Sequence, residues 1–162
     1  MGVSPPYLHD DTEQGVSIRV DFSADAAVSL LTVHGSWDDK LRRNTSVTLR
    51  RCFTELQGFV GCIVNDYQSA GADKNTMVFY DGPEYDAFWK VAEELDCPVY
   101  LHPREATPLV FDQMWKDRPW LAYAALGHAH RVSMHVLGIV TAGVLDRFPK
   151  LKIVIGHMGE HM

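Results

Sequence analysis

The sequence predicts an α/β fold built on a parallel sheet. Three observations carry this expectation. Short runs at 58–64, 98–102 and 151–155 are apolar without alternation, as strands covered on both faces are. Helical periodicity fills the intervals between them: Phe88, Val91, Ala92 and Leu95 in one, and Val132, Val136, Ile139, Val140 and Val144 in the other. Strand, helix, strand, helix, strand at this spacing is a βαβ series, with right-handed crossovers.

The elements follow in order. Residues 1–14 are polar, carry Pro5-Pro6 and Asp10-Asp11, and read as a loose tail. The segment 1–24 is therefore set apart from a single domain over 25–162. Val16, Ile18, Val20 and Phe22 alternate, the period of a strand. The apolar run 26–33 suits a buried strand, closed by His34-Gly35-Ser36. Charged residues over 38–56 suit a helix, with Asn44-Thr45-Ser46 at its weak middle. The strand at 58–64 ends on Asn65-Asp66, and a polar loop spans 67–82. Pro83 opens a helix at a position where its missing N–H costs nothing. The strand at 98–102 is stopped by Pro103. An irregular insert over 105–123 holds Trp115 and Trp120, which either anchor it by burial or form a lid over an aromatic ligand. One amphipathic helix is expected over 129–148. The last strand closes on Gly156-His157.

Composition excludes several classes. The chain has 162 residues, is 46% apolar and 22% charged, and is long enough to bury a core without staples. Fifteen Lys and Arg against 21 Asp and Glu give a net charge of −6, which argues against a nucleic-acid binder. The longest uncharged apolar stretch, 132–145, has 14 residues, short of the roughly 20 that span a bilayer. Cys52, Cys62 and Cys97 stand singly, so neither a disulfide framework nor a zinc ribbon is indicated. With no signal peptide in view, the expected location is the cytoplasm.

Candidate chemistry gathers at the strand ends. His102 closes one strand and His157 the next, and in α/β folds ligands bind at that carboxyl edge. In His157-Met158-Gly159-Glu160 a carboxylate three residues on can orient the imidazole if the chain turns helical after Gly156. His128 and His130 precede a helix, where side chains two apart diverge, so both are expected outside any metal's first shell. His135 falls beside the apolar stripe and reads as a packed core residue.

Longer motifs add a resemblance. Gly58-Phe59-Val60-Gly61 with Asn65-Asp66, Tyr80-Asp81 with Pro83-Glu84-Tyr85 and Phe88-Trp89, Tyr100-Leu101-His102-Pro103-Arg104, residues 115–121, Ser133-Met134-His135-Val136-Leu137-Gly138, and Phe148-Pro149-Lys150-Leu151 leading into Gly156-His157-Met158-Gly159-Glu160 occur in order. Together they resemble the metal-dependent decarboxylases of the amidohydrolase superfamily, nearest to the fungal 2,3-dihydroxybenzoate and γ-resorcylate enzymes. The resemblance implies a (β/α)₈ barrel, of which this chain supplies roughly strands three to six, as a partial TIM-type barrel. It implies one divalent metal, Zn or Mn, with His102 as a ligand and with His157 and Glu160 beside the substrate, handling protons. The implied substrate is a small aromatic carboxylic acid that chelates the metal through its carboxylate and ortho-hydroxyl. The implied assembly is a homo-oligomer, with no nucleic acid and no membrane as partner. Acidic ligands on the family's first and last strands find no counterpart here, so the expectation is a truncated chain with impaired activity. Two other readings are a hydrolase of the same superfamily and a non-catalytic chain that pairs with a full-length relative.

Overall fold

A computed structural model of the chain describes residues 17–22, 29–34, 49–50, 59–70, 72–73 and 75–159. Its strands are β1 (Ser17–Phe22), β2 (Ser29–His34), β3 (Phe59–Asn65), β4 (Gln68–Ala70), β5 (Thr76–Val78), β6 (Val99–His102) and β7 (Ile153–Ile155). The main helices are α1 (Asp86–Glu94), α2 (Gly127–Thr141) and α3 (Val144–Arg147). Five strands form one sheet in the order β1-β2-β3-β6-β7. From β2 to β7 every pairing is parallel. The three runs expected to be parallel neighbours are so, with Cys62 opposite Val99 and Leu101 opposite Ile155.

Several expectations are corrected. The first pairing, β1 with β2, is antiparallel. Only residues 23–28 join those strands. That suffices for a hairpin, whereas a parallel crossover takes a dozen residues or more. β1 lies within the 1–24 segment, so part of it belongs to the sheet. The polar stretch 67–82 is not one loop: β4 and β5 form a separate antiparallel hairpin, its turn held by the Asn75 N–H donating to Asp73 Oδ1 at 3.1 Å. Within 105–123 the chain forms short helical turns at Pro108–Val110, Phe111–Trp115 and Pro119–Leu121. The helix expected over 38–56 is described only at 49–50, which are helical. The tail over 1–14 lies outside the described residues.

The helix expected over 129–148 is two helices. Gly143 separates them with φ +69°. Its N–H donates to Val140 O at 3.1 Å and so closes the last turn of α2. A Cβ added there meets only ordinary contacts, Asp146 Oδ2 at 3.4 Å being the nearest. The cost of a side chain is thus the left-handed backbone alone. Gly143→Ala is expected to lower folding stability by about 1 kcal/mol, read as a shift in the urea midpoint. An unchanged midpoint would show that the turn relaxes into another conformation.

The core lies between the sheet and helices α1 and α2. Trp89 is fully buried beside Val64, Leu101, Val132 and Ile139. Tyr80 joins several parts of it. Its carbonyl accepts from Trp89 Nε1 at 2.8 Å, its hydroxyl accepts from Gln68 Nε2 at 2.8 Å, and its N–H donates to His135 Nε2 at 2.9 Å. Val140, expected in the buried stripe, is instead 47% exposed, as are Met134 and Leu137 at 43% and 52%. Those three form a second apolar face on α2. Among the described residues no helix is long and apolar enough to cross a membrane.

Candidate active site

The site is assembled at the carboxyl edge by close contact of β6 and β7. The Gly156 N–H donates to Leu101 O at 3.0 Å. A Cβ on residue 156 would stand 2.5 Å from that same carbonyl oxygen, so only glycine lets the end of β7 lie this close to β6. The next residue, His157, then falls beside His102, with ring centroids 5.8 Å apart and planes at 68°. His157 takes φ +49°, a conformation that costs a residue other than glycine about 1 kcal/mol or more. The two histidines expected to share one side of this edge are therefore brought together. His102 is exposed and His157 half-buried. Glu160 lies outside the described residues.

His128 departs from its expected place. It sits in the first turn of α2, with its ring 5.0 Å from that of His157 and perpendicular to it. The Tyr123 ring stands 6.0 Å away on another side. Both ring nitrogens of His128 are shielded from solvent and have no hydrogen-bond partner among the described residues. Burial, together with the positive charges of Arg131, His157 and His102, holds its proton affinity below the ordinary imidazole value. Divergence along the helix acts only on His130, which turns out to solvent. Topology carries the signal that spacing missed. A helix that follows a parallel strand begins at that strand's carboxyl edge, so its first turn faces the site.

Beneath the edge lies a buried polar network. The Asp66 N–H donates to His102 O at 2.8 Å, and Asp66 Oδ1 accepts from the Arg104 N–H at 3.1 Å. Arg131 Nε stands 3.7 Å from Asp66 Oδ2, and Arg131 Nη2 donates to Arg104 O at 2.6 Å. Burial pushes the Asp66 carboxyl up to about 7, against the pull of Arg131 and the Arg104 N–H. The Arg104 guanidinium lies 5.0 Å from the centre of the Tyr67 ring, and the Tyr67 hydroxyl donates to Glu105 O. These bonds fix the loop after β6 and with it the base of His102. Of the two tryptophans, Trp115 is buried and anchors its segment, while Trp120 is 68% exposed.

His135 is the expected core histidine, 1% exposed. Burial pushes its pKa from 6.5 down to about 3. A depressed imidazole contributes stability above about 6.5 that is lost as pH falls toward about 3, at up to about 1.4 kcal/mol per pH unit. Asp66 runs the other way, because its raised pKa lets the folded state take up a proton first. The two slopes offset each other in the native chain. His135→Gln, which keeps an acceptor for the Tyr80 N–H, removes one of them. Below pH 6 the variant is expected to gain on the parent by about 1 kcal/mol per pH unit. Parallel urea-midpoint profiles would contradict a neutral, buried His135.

The donor chemistry of the edge fits a divalent transition metal in part. Neutral imidazole suits such ions, and the one nitrogen of a neutral His128 that carries no proton offers a lone pair without a hydrogen-bond partner among the described residues. Among the described residues, however, no three His, Cys, Asp or Glu side chains stand close enough to enclose an ion. What this chain presents is an edge lined with imidazoles, to which further ligands must be added.

Comparison with known proteins gives a consistent result. The sequence profile of the amidohydrolase family matches residues 25–161. A γ-resorcylate decarboxylase of Rhodococcus jostii is 46% identical over 115 residues, covering 69% of this chain and 34% of the relative. One from Rhizobium sp. is 40% identical over 112 residues, 69% of this chain and 33% of its own length. The chain thus spans about a third of the curated relatives it matches. Among solved structures, a 2,6-dihydroxybenzoate decarboxylase complexed with 2,6-dihydroxybenzoate superposes with TM-score 0.69 at 35% identity, over 78% of this chain and 38% of that one. A dihydroxybenzoic acid decarboxylase from Polaromonas sp. JS666, with bound manganese and 2-nitroresorcinol, gives TM-score 0.66 at 32% identity, over the same shares.

Proposed function

The chain belongs to the amidohydrolase family, and from that premise we propose that it serves the metal-dependent, non-oxidative decarboxylation of a hydroxybenzoate. The observation that carries this reading is the meeting of His102 and His157 at the carboxyl edge of parallel strands. In this reading the β2-β3-β6-β7 sheet is a sector of a (β/α)₈ barrel, whose active sites lie at that edge.

His102 supplies a nitrogen ligand to Zn²⁺ or Mn²⁺. When bound, the ion acts as a Lewis acid toward the carboxylate and ortho-oxygen of the substrate. The residues of this chain supply the rest. The Asp66–Arg104–Arg131 network holds the loop after β6, and the Asp66 N–H bonded to His102 O holds the strand end that bears His102. His157 faces the ring carbon that carries the carboxylate and assists proton delivery to it, oriented by Glu160. Protonation there interrupts the aromatic system. The bond to the carboxylate carbon then breaks, its electron pair restores the ring, and carbon dioxide leaves. A small aromatic acid as substrate, supported by what the matched relatives are named for, and a cytoplasmic location, supported by the single, scattered cysteines, complete the proposal, together with the homo-oligomer that the family resemblance implies.

The test joins these 162 residues to the remaining segments of the Rhodococcus relative, loads the product with Mn²⁺ or Zn²⁺, and measures carbon dioxide from 2,6-dihydroxybenzoate. Ester and lactone hydrolysis is assayed in parallel. Release of carbon dioxide supports the proposal. A metal-loaded chain that hydrolyses esters and leaves the acid intact overturns it.

A further inference from the structure

We propose that His128 is a positioning residue for His157: from the first turn of α2 its ring packs perpendicular to that of His157 and holds it toward the substrate. The backbone of His157 leaves the direction of its ring open. A side chain has three staggered positions about χ1, and packing by neighbours is what locks one of them. Among the described residues the rings against it are those of His102, at 5.8 Å and 68°, and His128, at 5.0 Å and 90°. His102 is exposed at its strand end and in the proposed function takes the metal. His128 is the nearer of the two and the better fixed.

The place of His128 is set from several sides. Its N–H donates to Tyr123 O at 3.0 Å, and the Tyr123 ring stands 6.0 Å away and perpendicular, at 89°. Gly127 before it lies so close to the preceding loop that a Cβ there would stand 2.1 Å from Ala122 O. Ala129 after it is buried. The first turn of α2 therefore carries the ring on a rigid base. Perpendicular rings with centres about 4.5–7 Å apart are a favoured arrangement of flat side chains. Neither His128 nitrogen has a hydrogen-bond partner among the described residues. A residue kept here for its nitrogens would show a partner; one kept for the shape of its ring need not. Burial also holds its proton affinity down, so an uncharged ring lies against His157 and does not repel a proton carried there.

The inference rests on the proposed function for what His157 does, not for how its ring is held, so the test has two arms. The first uses the 162-residue chain without metal or substrate and follows the ring resonances of His157 by NMR. His128→Ala is expected to move them toward those of a freely rotating imidazole. His128→Phe, which keeps a flat ring, is expected to leave one fixed set. The second arm uses the joined chain and measures turnover per bound metal ion, which removes any change in the amount of folded enzyme. There His128→Ala is expected to lower kcat about 10–100-fold, the cost of a small misplacement of a reacting group, with KM within about twofold of the parent. His128→Phe is expected to keep kcat within about threefold. His130→Ala, on the solvent side, is expected to change neither readout. Should His128→Ala fail to fold, His128→Leu fills the space without a flat ring and is expected to show the same loss. Resonances of His157 unmoved by His128→Ala, or His128→Phe as slow as His128→Ala, would overturn the proposal. If the joined parent chain releases no carbon dioxide, the decarboxylase reading fails and the resonances still decide this one.

Discussion

Arg131→Met is expected to cost about 3–5 kcal/mol of folding stability, the usual penalty for removing one member of a buried ion pair. The side chain of Arg131 is 5% exposed and that of Asp66 is fully buried. Arg131 also donates to the carbonyls of Arg104 and Ala122, so it ties α2 to the loop after β6. Methionine fills much of the same space and supplies none of those donors. Asp66 then loses its nearest positive charge, and its carboxyl rises further above the value of about 7 that burial already gives it. A folded-state pKa above the unfolded one favours folding at low pH and loses that contribution as pH rises through the folded value. The deficit of Arg131→Met is therefore larger at pH 8 than at pH 6. Adding Asp66→Asn removes the stranded carboxylate and is expected to recover much of the loss. Urea denaturation of the two single variants and the double variant at both pH values measures this. A single variant within about 1 kcal/mol of the parent would mean that the pair contributes little.

His157→Ala, introduced into the joined chain, is expected to lower decarboxylation about 10²–10⁴-fold, the range for a positioned proton-transfer group. His102→Ala is expected to abolish turnover by a different route. The loss should follow metal content, since His102 is the proposed ligand at the β6 end. His157→Ala with full metal and unimpaired turnover would remove this residue from the proton path. The two variants thus separate holding the ion from moving the proton.

The parallel core was legible because its strands are apolar runs with no alternation in sequence, although their burial is one-sided, with Val154 of β7 42% exposed. His102 and His157 were legible because each closes such a run. Other features depend on partners far apart in the chain. Asp66 and Arg131 are 65 positions apart, and nothing in either local pattern announces the other. The β4–β5 hairpin reads Gln-Ser-Ala on one side, with no β-branched or aromatic residue to mark a strand. Helical periodicity runs through Gly143 without a break, although the φ of that residue ends α2. Val140 satisfies the buried period and faces solvent, because period alone does not say how wide a stripe the neighbours cover. His128 was placed by spacing within its own helix, when the strand-to-helix order was the better guide.

The positive φ of His157 sets two kinds of selection against each other at one position. Glycine would adopt that backbone without penalty, so a library sorted for heat resistance should accumulate glycine at 157 among its survivors. The same library ranked by turnover should lose those members first. A redesign guided by stability alone would thus erode the site at its centre while every bulk property improved, and position 157 is the one to hold constant when such variants are pooled.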